Sequence, residues 1–303
     1  MQEKSSKNTK LPPKVSVIIP CYKAAKYIEQ TVVSVLDQTT NDFEVIVVVD
    51  GSPENETEIL ERLKAKDDRI KILVQENEGV SRARNNGFSV CKGEYISFLD
   101  SDDIWLPNRL EKLMVKMNQG NFGLVQSDIE VIDETGEKKG EIKHGKEGSV
   151  LDDLLLWNGD VINAPSSTLI KRMVLEDVGL FDEDLSTAAD QELWFRIASK
   201  YNVGLVAEPL SFYRKHDSNM SSNISLLERD HLKAYQKAEK LNLFKSSAFR
   251  NQCFSNMTMI IAACWMGDGN NWLRGLRLLM KALLIYPKNF TKLLMKIKKK
   301  IIQ

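Results

Sequence analysis

A chain of 303 residues is long enough for one large α/β domain with an appendage. Its 42 basic and 42 acidic residues cancel, which removes any global electrostatic case for wrapping nucleic acid. Met1 to Lys10 is polar and lysine-rich, unlike a secretory signal, and no apolar run approaches the roughly 20 residues needed to span a bilayer, so a cytoplasmic protein is expected. Cys21, Cys91, Cys253 and Cys264 lie far apart among apolar neighbours and read as small core residues of a reducing compartment.

Residues 1–13, closed by Leu11-Pro12-Pro13, read as a disordered leader. The β-branched run Val15 to Pro20 predicts a first strand, and Ile28, Val32, Val35 and Leu36 recur at helical spacing. Phe43 to Val49 is a second buried strand that stops at Asp50-Gly51-Ser52. A helix around Ile59 to Lys64, a strand over Ile70 to Val74 and a helix from Asn77-Glu78-Gly79 through Val90 follow. Gly93-Glu94 then turns into Tyr95 to Leu99, an apolar strand ending on Asp100-Ser101-Asp102-Asp103. Such strict alternation predicts a mostly parallel, Rossmann-like sheet flanked by helices, with ligands beyond the carboxyl ends of its strands. Later elements are a helix over Leu110 to Met117, a strand over Gly123 to Ile132 and a solvated hairpin or loop over 133–148 that includes a surface His144. A strand edge with a polar lip at Asn163 to Ser167, a helix opened by Asp190 and a strand from Leu205 to Tyr213 come next. From Ile224 onward the pattern is helical.

Three groups carry chemistry: the strand-end carboxylates, Asp190 at a helix start, and Arg214 with His216 after a strand. Carboxylate oxygens two residues apart suit a hard divalent cation or sugar hydroxyls. Arg214 matches phosphate oxygens with its planar fork. Together they suit transfer of a sugar from a nucleoside diphosphate, with Asp190 as base, Asp102 on the metal and Asp100 on the ribose or the same metal. Plainer readings stand beside these. Asp103 and Asp190 are both placed to be helix N-caps, Arg214 to pair with Asp217, His216 to be a satisfied half-buried imidazole, and Tyr22 to be either core or a stacking platform for a base.

Seven segments occur in an order and spacing that resembles the family 2 glycosyltransferases. They are Val15 to Tyr22, Val47 to Ser52, Asn77-Glu78-Gly79 with Ala83-Arg84-Asn85, Gly93 to Asp103, Val178 to Glu183, Asp190 to Arg196 and Tyr213 to His216. The resemblance covers residues 14 to 221 and implies an inverting, metal-dependent hexosyltransferase of the GT-A fold. On it, Pro20, Tyr22, Asp50, Arg84, Asp100 and Ser101 grip the nucleotide sugar, a UDP-sugar by expectation. Asp102 holds Mn2+ or Mg2+, Asp190 is the catalytic base, and Arg214 and His216 sit near the diphosphate. The implied organisation is a nucleotide-sugar-binding half (14–107), an acceptor-binding half (108–221) and a C-terminal helical extension (222–303). The implied work is polysaccharide or other cell-surface glycan synthesis on a glycan or lipid-linked acceptor. The sequence departs from the family pattern at Lys23 (often Asn), Val49 (often acidic) and Ala189 (often Glu). The Asn163 to Ser167 lip and the residues around Trp157 and Trp194 are expected to shape the acceptor side.

Two competing classes fit less well. A nucleotidyltransferase would carry a Gly-rich phosphate loop where Pro20-Cys21-Tyr22-Lys23-Ala24-Ala25 stands, and an inactive binding relative would have lost Asp102 or Asp190. At the C-terminus, Leu276, Leu279, Met280, Leu283 and Leu284 form one apolar stripe, and Phe290, Leu293, Leu294, Ile297 and Ile301 another. Six lysines and no acid lie between Lys288 and Lys300. Two readings fit: helices packed on the catalytic domain, or a peripheral contact with the cytoplasmic face of the membrane.

Overall fold

The computed structural model describes residues 12–216 and 220–290. The expected leader therefore lies outside the described residues save for Pro12 and Pro13, as do Asp217 and the second C-terminal stripe beyond Phe290. Strand β1 (Val15–Cys21) leads through α1 (Ile28–Leu36), β2 (Phe43–Asp50), α2 (Glu56–Lys64), β3 (Ile70–Gln75) and α3 (Val80–Val90) to β4 (Tyr95–Phe98). These four strands lie in the order β3-β2-β1-β4, and every pair is parallel. The order reverses between β1 and β4, the kind of switch point where a crevice opens in such sheets.

The second half is β5 (Ile104–Trp105), α4 (Arg109–Asn118), β6 (Phe122–Ile132), β7 (Lys138–Lys143), α5 (Leu151–Leu156), β8 (Thr168–Lys171), α6 (Arg172–Val178), α7 (Ala189–Ala198) and β9 (Asn202–Arg214). It extends the sheet as β4-β8-β6-β9-β5, with β7 paired to β6. Only β6 and β9 are parallel here; β4–β8, β6–β8, β5–β9 and β6–β7 are antiparallel. The mostly parallel character thus belongs to the first four strands. Short links such as the β6–β7 turn make antiparallel neighbours, since a parallel pair needs a long crossover. The solvated segment expected over 133–148 contains that β6–β7 hairpin, and His144 is exposed on it against Asp128.

Side chains alternate between the two faces of the sheet, as the period of a strand requires. Val15, Val17, Ile19, Val45, Val47 and Val49 pack with α1, α2 and α4, whereas Ile18, Ile46, Val48, Ile96 and Phe98 pack on the opposite side with α7. Val49 and Ala189, two of the departures from the family pattern, are core residues at 3% and 0% exposure. Lys23 holds a positive φ of 51°, a conformation that Asn adopts more readily, which explains why Asn is common there. Cys21, Cys91 and Cys253 are buried and Cys264 half-buried, all as free thiols.

Helices α8 (Ile224–Lys240), α9 (Ser247–Met266) and α10 (Trp272–Ile285) complete the chain as described. Cys253, Phe254, Met257 and Ile261 of α9 share one core with Leu193, Trp194 and Phe195 of α7. Tyr235 of α8 is fully buried, with its hydroxyl donating to the Leu155 carbonyl at 2.8 Å. Burying a large apolar side chain contributes roughly 1.5–3 kcal/mol, so these helices stabilise the body that carries α7.

Candidate active site

Parallel strands β1, β2 and β4 bring Cys21, Asp50 and the turn after Phe98 to one edge of the sheet, and β9 delivers Arg214 to His216 beside them. Gly51 (φ +61°) lets two of these loops meet: a Cβ there would lie 2.4 Å from the Asn77 backbone nitrogen. The Thr31 hydroxyl of α1 lies 2.9 Å from the carbonyls of both Ser101 and Asp103 and pins the acidic turn.

Asp103 is not a helix cap. The residues after it form β5, which pairs with β9, and the N-cap of α4 is Asn108. Asp103 is 1% exposed and accepts from the Ser166 hydroxyl at 2.6 Å and from the Arg214 amide at 3.0 Å. It therefore ties the acidic turn to the turn before β8 and to β9. Burial, with Asp102 and Asp100 nearby, holds its carboxyl well above the usual range.

Asp102 and His216 face each other, Oδ2 to Nε2, at 2.9 Å. The imidazole stacks on Tyr27 with centroids 5.4 Å apart. Burial and then Asp100 push the Asp102 carboxyl up, while His216 opposes the shift. Carboxylate excess beside an imidazole is a donor set that suits Mn2+ or Mg2+. Among the described residues no group of three or more His, Cys, Asp or Glu side chains gathers for a metal. A cation held here would complete its shell with oxygens of a ligand.

Asp190 lies in the first turn of α7, but the N-cap is Ala188 and no side chain caps that end. The capping reading therefore fails for Asp190. Its carboxylate accepts from the Gln191 amide at 2.7 Å and is partly exposed. Burial raises its pKa, Arg84 and the Gln191 N–H oppose that, and Asp100 adds to it. Arg84, only 5% exposed, donates from Nη2 to Asp100 at 2.6 Å, and its guanidinium lies 4.9 Å from the centre of the Phe181 ring. One buried guanidinium thus pairs with Asp100 and also lowers the Asp190 pKa by its charge.

The remaining expected residues divide. Tyr22 is 44% exposed and Ser101 partly exposed, both open at the edge. Pro20 is buried within β1. The Asp50 carboxylate is engaged by the Glu78 and Gly79 amides at 2.8 and 2.9 Å and by the Gln75 side chain at 2.8 Å. Arg214 is 2% exposed and differs most from expectation. Its guanidinium donates to the carbonyls of Asp102, Asp133 and Glu134 and to the Gln30 side chain, with Tyr27 stacked on it. It fastens two turns and helix α1 together beneath the cleft and does not present its fork to solvent. The lip is corrected too: Asn163, Ser166, Ser167 and Trp194 are all buried, and Trp157 stacks on His231 at 4.4 Å.

Sequence reasoning missed three contributors. Burial, and then the charges of Asp103, Asp100, Asp102 and Asp190, push the Tyr213 phenol up. Ser166 bridges Asp103 and the Asp100 amide. Asp230, fully buried on α8, accepts from the Ser186 and Thr187 amides at 2.8 and 3.1 Å, and Ser81 of α3 donates to the adjoining Leu185 carbonyl at 2.6 Å. The turn into Asp190 is held from both sides. Tyr213 had a signal, alternation with the buried Arg214 along a strand; Asp230 had none.

The family model described as Glycosyl transferase family 2 matches residues 16–179. An uncharacterized glycosyltransferase of Rickettsia bellii is 36% identical over 68% of this chain, but the match spans only 29% of that protein, so this chain corresponds to about a third of it. The putative teichuronic acid biosynthesis glycosyltransferase TuaG of Bacillus subtilis is 30% identical over 78% of this chain and 92% of its own length. Among solved structures, S. aureus TarS 1–349 in complex with UDP-GlcNAc superposes with a TM-score of 0.61 at 17% identity, covering 91% of this chain and 92% of that one. The mannosyltransferase PcManGT of Pyrobaculum calidifontis, in complex with GDP-Man and Mn2+, gives 0.62 at 16% identity over 96% and 81%. At such identity these likenesses show a shared GT-A fold.

Proposed function

The chain belongs to glycosyl transferase family 2, and from that premise we propose that it moves a sugar from a nucleoside-diphosphate sugar, a UDP-sugar first, to an acceptor hydroxyl with inversion. The observation that carries this reading is the acidic strand-end turn, where Asp100 pairs with the buried Arg84 and Asp102 with His216, with Asp190 within reach of the charges of Arg84 and Asp100. Asp190 takes the proton of the acceptor hydroxyl as that oxygen attacks the anomeric carbon from the face opposite the diphosphate. Its raised pKa brings it nearer the proton it must accept while leaving it ionised above that value. Tyr22 stacks on the base, and Asp100 and Ser101 hold the ribose side. Pro20, Asp50 and Arg214 shape and fasten the loops that form the grip. Asp102 and His216 would hold Mn2+ or Mg2+, and such an ion would supply positive charge against the departing diphosphate. Residues 14–107 bind the donor and 108–221 the acceptor, a growing surface glycan or a lipid-linked one. Work on a lipid-linked acceptor places the protein in the cytoplasm with peripheral contact at the membrane face.

A panel of nucleotide sugars, with and without Mn2+, tests this reading by release of free nucleoside diphosphate. Release of pyrophosphate would instead indicate nucleotidyl transfer. In the same assay Asp102→Asn should lose Mn2+-dependent thermal stabilisation by the donor. The unliganded variant should nevertheless melt above wild type at pH 7. Folding raises the Asp102 pKa, so the stability this group contributes is complete below its unfolded pKa of about 3.9 and is lost as pH rises through the folded value. The advantage of the variant should vanish in acid.

A further inference from the structure

Helix α10 packs closely on α9 through its small residues. Gly275 and Ala282 are buried, a Cβ on Gly275 would meet Met266 at 2.3 Å, and the Ser255 hydroxyl donates to the Ala282 carbonyl at 2.7 Å. The stripe read from sequence consequently splits. Leu279 and Leu283 are half-buried, whereas Leu276, Met280 and Leu284 are 49%, 51% and 83% exposed. Trp272 at 68% and Leu273 at 73% join them. At about 100° per residue these five occupy roughly a third of the helix circumference. Arg277 and Lys281, both exposed, border one edge of that arc. An apolar face of this size that no described residue covers marks a docking surface.

Charge selects the occupant. Asp268 is the last acidic residue of the chain, and nine Lys and Arg residues follow it. No helix among the described residues is long and apolar enough to cross a membrane. An apolar arc with cations along one edge and a Trp at one end is the pattern of a helix that lies in the plane of an anionic bilayer surface. We propose that the outer face of α10 is a docking surface for anionic lipid bilayers, with Trp272, Leu273, Leu276, Met280 and Leu284 entering the headgroup boundary. Since α9 shares a core with α7, docking through α10 fixes the height of the strand-end cleft above the lipid. This deepens the membrane contact of the proposed function. Its test reads binding without turnover, so failure here would leave glycosyl transfer standing.

The test is flotation of the full chain with phosphatidylcholine vesicles, plain or containing phosphatidylglycerol. Wild type should float only with the anionic vesicles and detach in high salt. Leu276→Glu combined with Leu284→Glu should weaken vesicle binding at least tenfold with an unchanged melting temperature, because both side chains point to solvent. Arg277→Glu with Lys281→Glu should weaken it as well. Equal flotation of the leucine variant would overturn the proposal and leave the lysines after residue 287 as the lipid contact. So would a wild-type dimer in light scattering that the same variant converts to monomer, because a second copy would then cover the stripe.

Discussion

Asp190→Asn is expected to lower kcat by about 10²–10⁴-fold, the range for loss of a positioned general base, with donor affinity nearly unchanged. The amide keeps an oxygen for the Gln191 N–H that the carboxylate now accepts, so the first turn of α7 should fold as before. What disappears is the ability to take a proton. The pH profile separates this from a structural effect. Burial raises the Asp190 pKa, so wild-type kcat/KM should climb with pH through a value above the ordinary carboxylate range. The residual rate of the variant should lack that acid limb. A variant within threefold of wild type would remove Asp190 from the proton chemistry.

Arg84→Ala should produce the largest loss of stability, about 3 kcal/mol, as removing one partner of a mostly buried ion pair typically does. Arg84 is 6% exposed in its side chain and Asp100 29%, and Nε has no hydrogen-bond partner among the described residues, so the guanidinium already sits in a weakly solvated place. Its loss leaves Asp100 without its cation and removes the main group that restrains the Asp190 pKa. Two readouts should move together: the urea midpoint falls, and the acid limb of kcat/KM shifts to higher pH. Arg84→Lys keeps the charge but loses the planar group that lies on Phe181, and should recover only part of both. An unchanged acid limb in Arg84→Ala would mean that Arg84 supports the fold without tuning the base.

The first four strands were legible because their apolar runs end on loop residues with sharp chemistry, such as Asp50-Gly51-Ser52 and Asp100-Ser101-Asp102. The second half was legible element by element but not in its pairing. Nothing local in Thr168 to Lys171 tells that β8 inserts between β4 and β6. Asp103 illustrates the same limit within the site. A carboxylate after a strand resembles a cap until β5 turns into the sheet and buries it against Ser166 and the Arg214 amide. Arg214 was found by type and position, yet its guanidinium is consumed by carbonyls from two turns whose approach depends on long-range folding. Asp230 acts across more than forty residues of chain, on the Ser186 and Thr187 amides. Contacts of that kind have no periodicity or motif to announce them.

Inversion at the anomeric carbon is the central claim, and proton NMR of the first sugar released tests it most directly. With an α-configured nucleotide sugar and water as a slow acceptor, the wild-type chain should first release the β-anomer, before mutarotation mixes the two, and Asp190→Asn should release almost none. First appearance of the α-anomer, or undiminished release by Asp190→Asn, would contradict displacement driven by Asp190.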